Sequence, residues 1–236
     1  MTLLPPERKM PDTASTSGSP LTRTDRVFAA IEVTLGGAVV LAHNVYRIVP
    51  NEVPILVAIL WISLLVRRKR WSSVGLSKPT SWRLTTIVAL CCGVLLQLKD
   101  FVTEPLAHLI WHQTEKAPAI LAGLHHHQPL LALKALAIVW TFAAFGEEFA
   151  YRALLLRRTA DALNGSRAAY VCAVAFSSVL FGFGHFFKGP TGVFDSTCSG
   201  LILGGAYVWT RRNLWAGVLA HGLGDSIAVV FTYVVG

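Results

Sequence analysis

Seven stretches of mostly apolar residues follow one another along the chain, at 27–46, 53–66, 82–101, 130–156, 168–187, 192–209 and 214–235. About 20 consecutive apolar residues in helical form cross the hydrocarbon core of a bilayer. The second stretch is shorter and is expected to lie tilted or partly interfacial. Neither the period-two alternation of half-buried strands nor an internal repeat is present. The pattern predicts an all-α fold, a multi-pass membrane helical bundle of about seven transmembrane helices. A polar, turn-rich linker at 71–79 separates an amino-terminal pair of helices from the rest.

Composition supports this reading. The 236 residues are 53% hydrophobic and only 14% charged, and the mean hydropathy is +0.54. A soluble chain of this length carries far more charge on its surface. The net charge of +8 is concentrated in clusters between the apolar stretches: Arg8, Lys9, Arg23 and Arg26, then Arg67, Arg68, Lys69 and Arg70, then Arg157 and Arg158, then Arg211 and Arg212. Clusters so placed set membrane topology, because Lys and Arg resist translocation, and they argue against a nucleic-acid partner. With seven spans, all four clusters fall on one side if the amino terminus is cytoplasmic. The carboxy terminus and the loop around His125–His127 then lie outside. The alanine- and arginine-rich composition suggests a bacterial cell (inner) membrane. Cys91, Cys92, Cys172 and Cys198 sit in apolar stretches without C-x-x-C spacing, so neither a disulfide framework nor a zinc site is expected of them. Residues 1–26 are rich in Pro, Ser, Thr and Arg and read as a disordered cytoplasmic tail. Residues 27–128 then form amino-terminal transmembrane helices and an outer loop, and 129–236 a separate membrane core.

Within the last four apolar stretches stand Glu147, Glu148, Arg152, His185, Asp195, His221 and Asp225. A central charge in a membrane helix costs roughly 2.5–3.5 kcal/mol on insertion scales, and such residues pair with one another or line wet cavities. Glu148 and Arg152 are four apart, carboxylate first, which is the favourable order for an intrahelical pair. Glu147 is rotated about 100° from Glu148 and is left without that partner. A carboxylate so placed is available to exchange a proton with water. The fourth helix is expected to run on to about Leu163 and turn at Asn164-Gly165-Ser166. Glu147 lies 18 residues before Gly165 and His185 lies 20 after it, heights of roughly 27 and 30 Å above the turn at 1.5 Å per residue. In an antiparallel hairpin the two are nearly level. His221 and Asp225 share one face of the last helix. Asp225 could orient the imidazole, or both could face a substrate carbonyl. Gly200-x-x-x-Gly204 offers the small-residue pattern that lets helices approach closely.

These residues spell three motifs. Glu147-Glu148-Phe-Ala-Tyr-Arg152 fits E-E-x-x-x-R, Phe181-Gly-Phe-Gly-His185 fits F-x-x-x-H, and His221-Gly-Leu-Gly-Asp225 fits H-x-x-x-N/D. In this order, on successive membrane helices, they resemble the CPBP family of intramembrane proteases. That family includes CAAX prenyl proteases, bacteriocin-processing and bacteriocin-immunity (Abi) proteins, and some bacterial protein-sorting enzymes. The resemblance covers 130–235, under half of the chain, and makes 129–236 a four-helix catalytic core. It implies an intramembrane endopeptidase acting on a membrane-associated or lipid-modified protein or peptide, such as a CAAX-type tail, a leader peptide or a C-terminal sorting signal. Glu147 and His185 would activate water, His221 and Asp225 would stabilise the oxyanion, and Glu148 and Arg152 would support them. The prenyl proteases carry Asn where this chain has Asp225, and a charged Asp cannot donate to an oxyanion, although it could orient His221. No H-E-x-x-H occurs. Two histidines and a carboxylate could hold zinc, but the reading without a cofactor is preferred.

Other readings compete. Gly222-Leu-Gly-Asp225 also spells the G-x-G-D of presenilin-type aspartyl proteases, with Asp195 as the second aspartate. That leaves Glu147 and His185 unexplained, and Phe194 stands where a Tyr is expected. A non-catalytic membrane scaffold or immunity protein could use the same polar cluster for packing or peptide binding. A proton-coupled transporter is less attractive without a repeat. His112 and His125–His127 are read as a solvated polar loop.

Overall fold

A computed structural model of the protein describes residues 21–113, 121, 124 and 128–235. The expected tail lies outside the described residues as far as residue 20, as do His125–His127. The described residues form helices and no strand: α1 (Arg23–Asn44), α2 (Glu52–Val66), α3 (Trp82–Leu98), α4 (Asp100–Trp111), α5 (Pro129–Ala162), α6 (Arg167–Phe183), α7 (Gly189–Trp209) and α8 (Leu214–Val235). Short 3₁₀ turns occupy Trp71–Val74 and Phe186–Lys188.

Polar side chains fix where these apolar helices begin. Thr22 and Asp25 form a reciprocal capping box, so α1 starts at Arg23, inside the segment expected to be disordered. Asn51, Ser81 and Ser166 each accept a backbone N–H of the first turn of the next helix. Asn164 and Gly165 have φ of 83° and 70°, the left-handed turn expected between α5 and α6. Residues 102–111 were not expected to be helical, yet the helix Asp100–Trp111 includes them. Lys99 keeps helical dihedrals at the junction, so α4 prolongs α3 despite Pro105.

α5 is the central helix. It packs against α1, α2, α6, α7 and α8, and Tyr151, Ala153, Leu154, Leu155 and Leu156 are all buried. Over Val139–Leu156 its hydrogen bonding is of the wider π type, which is uncommon over more than one turn and frequent at functional sites. Apolar side chains also cover the outside of the bundle: Phe101 is 79% exposed, Trp209 75%, Leu109 72% and Val171 70%. An outer surface of this kind is that of a membrane protein.

The expected count of seven spans is not reproduced. Among the described residues, four helical segments are long and apolar enough to cross a bilayer: Arg23–Asn44, Trp82–Trp111, Pro129–Ala162 and Leu214–Val235. The broken pair α6 and α7 raises this to five only if the two helices are counted together. α2 has only 15 residues, closed off by the basic run that follows. α6 ends early because Gly182, Gly184 and His185 interrupt it. The chain turns back there: a Cβ on Gly200 would lie 2.8 Å from Ser178 Cα, and one on Gly204 3.1 Å from Val174 Cγ1. α6 and α7 are therefore a close antiparallel hairpin with its apex at His185, beside the middle of α5.

One end of the bundle gathers the described basic clusters. Arg26 Nε donates to Ala162 O. Arg67 and Arg158 both meet Glu32, at 3.1 and 2.8 Å. Arg212 donates to Tyr170 Oη at 3.1 Å. The 71–79 linker is docked on the α7–α8 turn, where Leu214 N donates to Gly75 O and Asn213 Nδ2 to Ser77 O.

Candidate active site

Glu147 and Glu148 lie one residue apart on α5 and point to different surroundings. Glu148 is fully buried, and its Oε1 lies 2.9 Å from Arg152 NH1. The same oxygen lies 3.3 Å from His221 Nδ1 on α8. A carboxylate only accepts, so Nδ1 carries the proton of that bond. Glu147 lines a cavity of about 490 Å³ together with His185, His221 and Asp225. His221 Nε2 lies 3.6 Å from Asp225 and 4.0 Å from Glu147. One imidazole thus joins the two glutamates: its Nδ1 side rests on Glu148 and its Nε2 side faces Glu147 and Asp225. Asp225 does not hold the orienting nitrogen; Glu148 does.

His185 lies in the break after α6. Its Nδ1 is 2.9 Å from Phe181 O. A carbonyl accepts, so Nδ1 is the protonated nitrogen and Nε2 keeps its lone pair. Phe181, the aromatic member of F-x-x-x-H, links the parts. The Arg152 guanidinium lies 4.6 Å from its ring centroid, within cation–π range. The His185 and His221 rings lie 4.8 and 6.0 Å from it. Glycines make the space: a Cβ on Gly217 would run into Glu148 Oε2, and one on Gly184 into Tyr151 Oη.

Two groups around the cavity were not singled out from the sequence. Glu52, buried at the start of α2, lies 3.3 Å from His43 Nε2 and 3.5 Å from Tyr151 Oη, and both His43 and Glu52 line the cavity. An acidic residue in a first helical turn is ordinarily explained by the helix dipole, so nothing in the sequence marks it. Lys99, at the α3–α4 junction, is the second. Its Nζ lies 2.6 Å from both oxygens of Asp195, whose Oδ1 also accepts from Thr103 Oγ1 at 2.5 Å. Asp195 is thus the partner of a partly buried ammonium, which takes it away from a proton-sharing pair with Asp225.

Among the described residues, no group of three or more His, Cys, Asp or Glu side chains is arranged to hold a metal ion.

The fold and site are those of a helical membrane protein with an acid–histidine cluster lining a cavity of about 490 Å³. Residues 129–227 match the family described as type II CAAX prenyl endopeptidase, Rce1-like, in keeping with the resemblance that the three motifs carry. The matched stretch runs from the start of α5 into α8, contains all seven motif residues, and makes up under half of the chain. It is a protease family. No curated protein and no solved structure matches the chain.

Proposed function

We propose that the protein is an intramembrane endopeptidase that hydrolyses a peptide bond of a membrane-associated or lipid-modified protein or peptide, using water activated by Glu147 and His185. The observation that carries this reading is the single cavity lined by Glu147, His185, His221 and Asp225. Peptide hydrolysis needs a base for the water, a donor for the oxyanion, and water inside an otherwise apolar bundle. Glu147 takes a proton from water as its oxygen bonds to the scissile carbonyl carbon. His185 Nε2, with its lone pair free, accepts a hydrogen bond from the same water and holds it. His221 donates to the oxyanion from Nε2 when both its nitrogens carry protons, with Nδ1–H fixed on Glu148 and the Asp225 and Glu147 carboxylates balancing the charge. The proton held by Glu147 then passes to the leaving amine as the C–N bond breaks. Arg152 neutralises Glu148 and braces Phe181. No cofactor takes part.

The substrate falls within the group of CAAX-type tails, leader peptides and C-terminal sorting signals, cleaved at a bacterial inner membrane with the basic end of the bundle facing the cytoplasm. Proteomics of membrane and secreted protein termini in cells carrying wild type or Glu147→Ala tests the reading. Processed termini should disappear in the variant, and the missing termini name the substrate. Identical termini in both strains would refute it and favour a scaffold.

A further inference from the structure

A second, smaller cavity lies at the basic end of the bundle, away from the catalytic cluster. Its walls come from three segments distant in sequence: the 71–80 linker, α5 at Arg157, and the α7–α8 turn at 210–213. We infer that it is a binding site for the phosphate of an anionic phospholipid headgroup.

Charge is the first support. Lys78, Arg157, Arg211 and Arg212 line the cavity, and no Asp or Glu does. Arg157 is already paired with Asp161 at 3.2 Å, and Arg212 contacts Tyr170 at 3.1 Å. Lys78 and Arg211 have no partner among the described residues. Both are solvent-exposed, and two unpaired cations on one cavity wall attract an anion. Backbone supports the same view. Arg211 and Arg212 have φ of 58° and 65°, a left-handed conformation that glycine adopts more readily. The turn carries two arginines at positions suited to glycine, and both residues line this cavity.

Size and position identify the anion. The cavity holds about 180 Å³, room for roughly six waters at their liquid volume and hence for a phosphate group. Ser73, Ser77 and Thr80 are among its other lining residues. Tryptophans mark the depth: Trp71 (36% exposed), Trp82 (46%) and Trp209 (75%) surround this end of the bundle. Tryptophan collects at the headgroup level of membranes, where anionic lipid attracts basic residues. The inference does not rest on the proteolytic reading.

The test uses the full chain purified in detergent and offered phosphatidylglycerol, phosphatidylcholine or millimolar inorganic phosphate, with bound species counted by native mass spectrometry. Wild type should retain phosphatidylglycerol and not phosphatidylcholine, and inorganic phosphate should not displace it. Arg211→Gly with Lys78→Ala should reduce retention by roughly 10–30-fold, as expected for removing two surface cations. Glycine suits the left-handed φ at 211, so the melting temperature should not fall. Arg68→Ala with Lys69→Ala, outside the cavity at the same end, should leave retention unchanged. Undiminished retention in the Arg211/Lys78 variant overturns the inference. So does equal loss in the Arg68/Lys69 control, which would reflect general surface charge, or equal retention of phosphatidylcholine. Arg211-dependent binding of inorganic phosphate without lipid retention would assign the cavity to a soluble phosphate and overturn the headgroup assignment.

Discussion

A side chain at Gly217 would occupy the place of Glu148 Oε2, and Glu148 in turn holds His221 Nδ1. The positioning of His221 therefore depends on a glycine one turn earlier in its own helix. Gly217→Ala should push the Glu148 carboxylate aside and lower turnover at least on the order of tenfold, the effect expected of a misplaced catalytic group. Its helix should remain intact, since Ala is the better helix former; kinetics together with circular dichroism check both. Asp195 offers the opposite case. Asp195→Asn should retain proteolysis per folded molecule, because its carboxylate serves Lys99. It should reduce stability by up to about 3 kcal/mol, the low end for breaking a buried pair, since Asp100 still faces Lys99 at 2.5 Å. A thermal melt alongside an activity assay separates this from the aspartyl mechanism, in which activity itself would be lost. At this scale the six ionisable motif residues stand out in the sequence, because each is a polar group in an apolar run. It did not reveal that Glu148, and not Asp225, faces the Nδ1 of His221. That depends on how α5 and α8 meet, and the π-helical stretch changes the angular step on which a 3.6-residue estimate rests.

The elements were legible where polar caps frame an apolar run. The last helix runs over 214–235 as read, and the turn at Asn164-Gly165 falls where its residues demand. α4 escaped notice because Asp100, Glu104 and Pro105 interrupt its pattern, and only packing against α7 keeps it helical. α6 and α7 were read as two spans, because hydropathy does not show that their junction lies beside mid-α5. The hairpin depends on close approach at Gly200, where a Cβ would meet Ser178 Cα at 2.8 Å. Gly200→Val should force α6 and α7 apart, move His185 and cost about 1–3 kcal/mol of stability by overpacking. Loss of activity together with a lower melting temperature is expected, while Gly205→Ala, which meets nothing within 4 Å, should be neutral.

For the molecule as a whole, the basic clusters predicted one common face, and the described ones converge on one end through Glu32, Asp161, Tyr170 and the docked linker. Single cysteines at Arg23, Lys78 and Arg211, in a background lacking the four native cysteines, should all react with a membrane-impermeant thiol reagent from the same side. Labelling of any of the three from the opposite side would break the proposed orientation. The central claim concerns Glu147. The most direct measurement is the cleavage rate of the substrate named by terminus-resolved proteomics, with purified wild type and Glu147→Gln reconstituted in the same proteoliposomes at matched folded concentration. The account predicts a loss on the order of 10²–10⁴-fold, the contribution of a positioned general base, with an unchanged melting temperature. A variant that cleaves at the wild-type rate would contradict it.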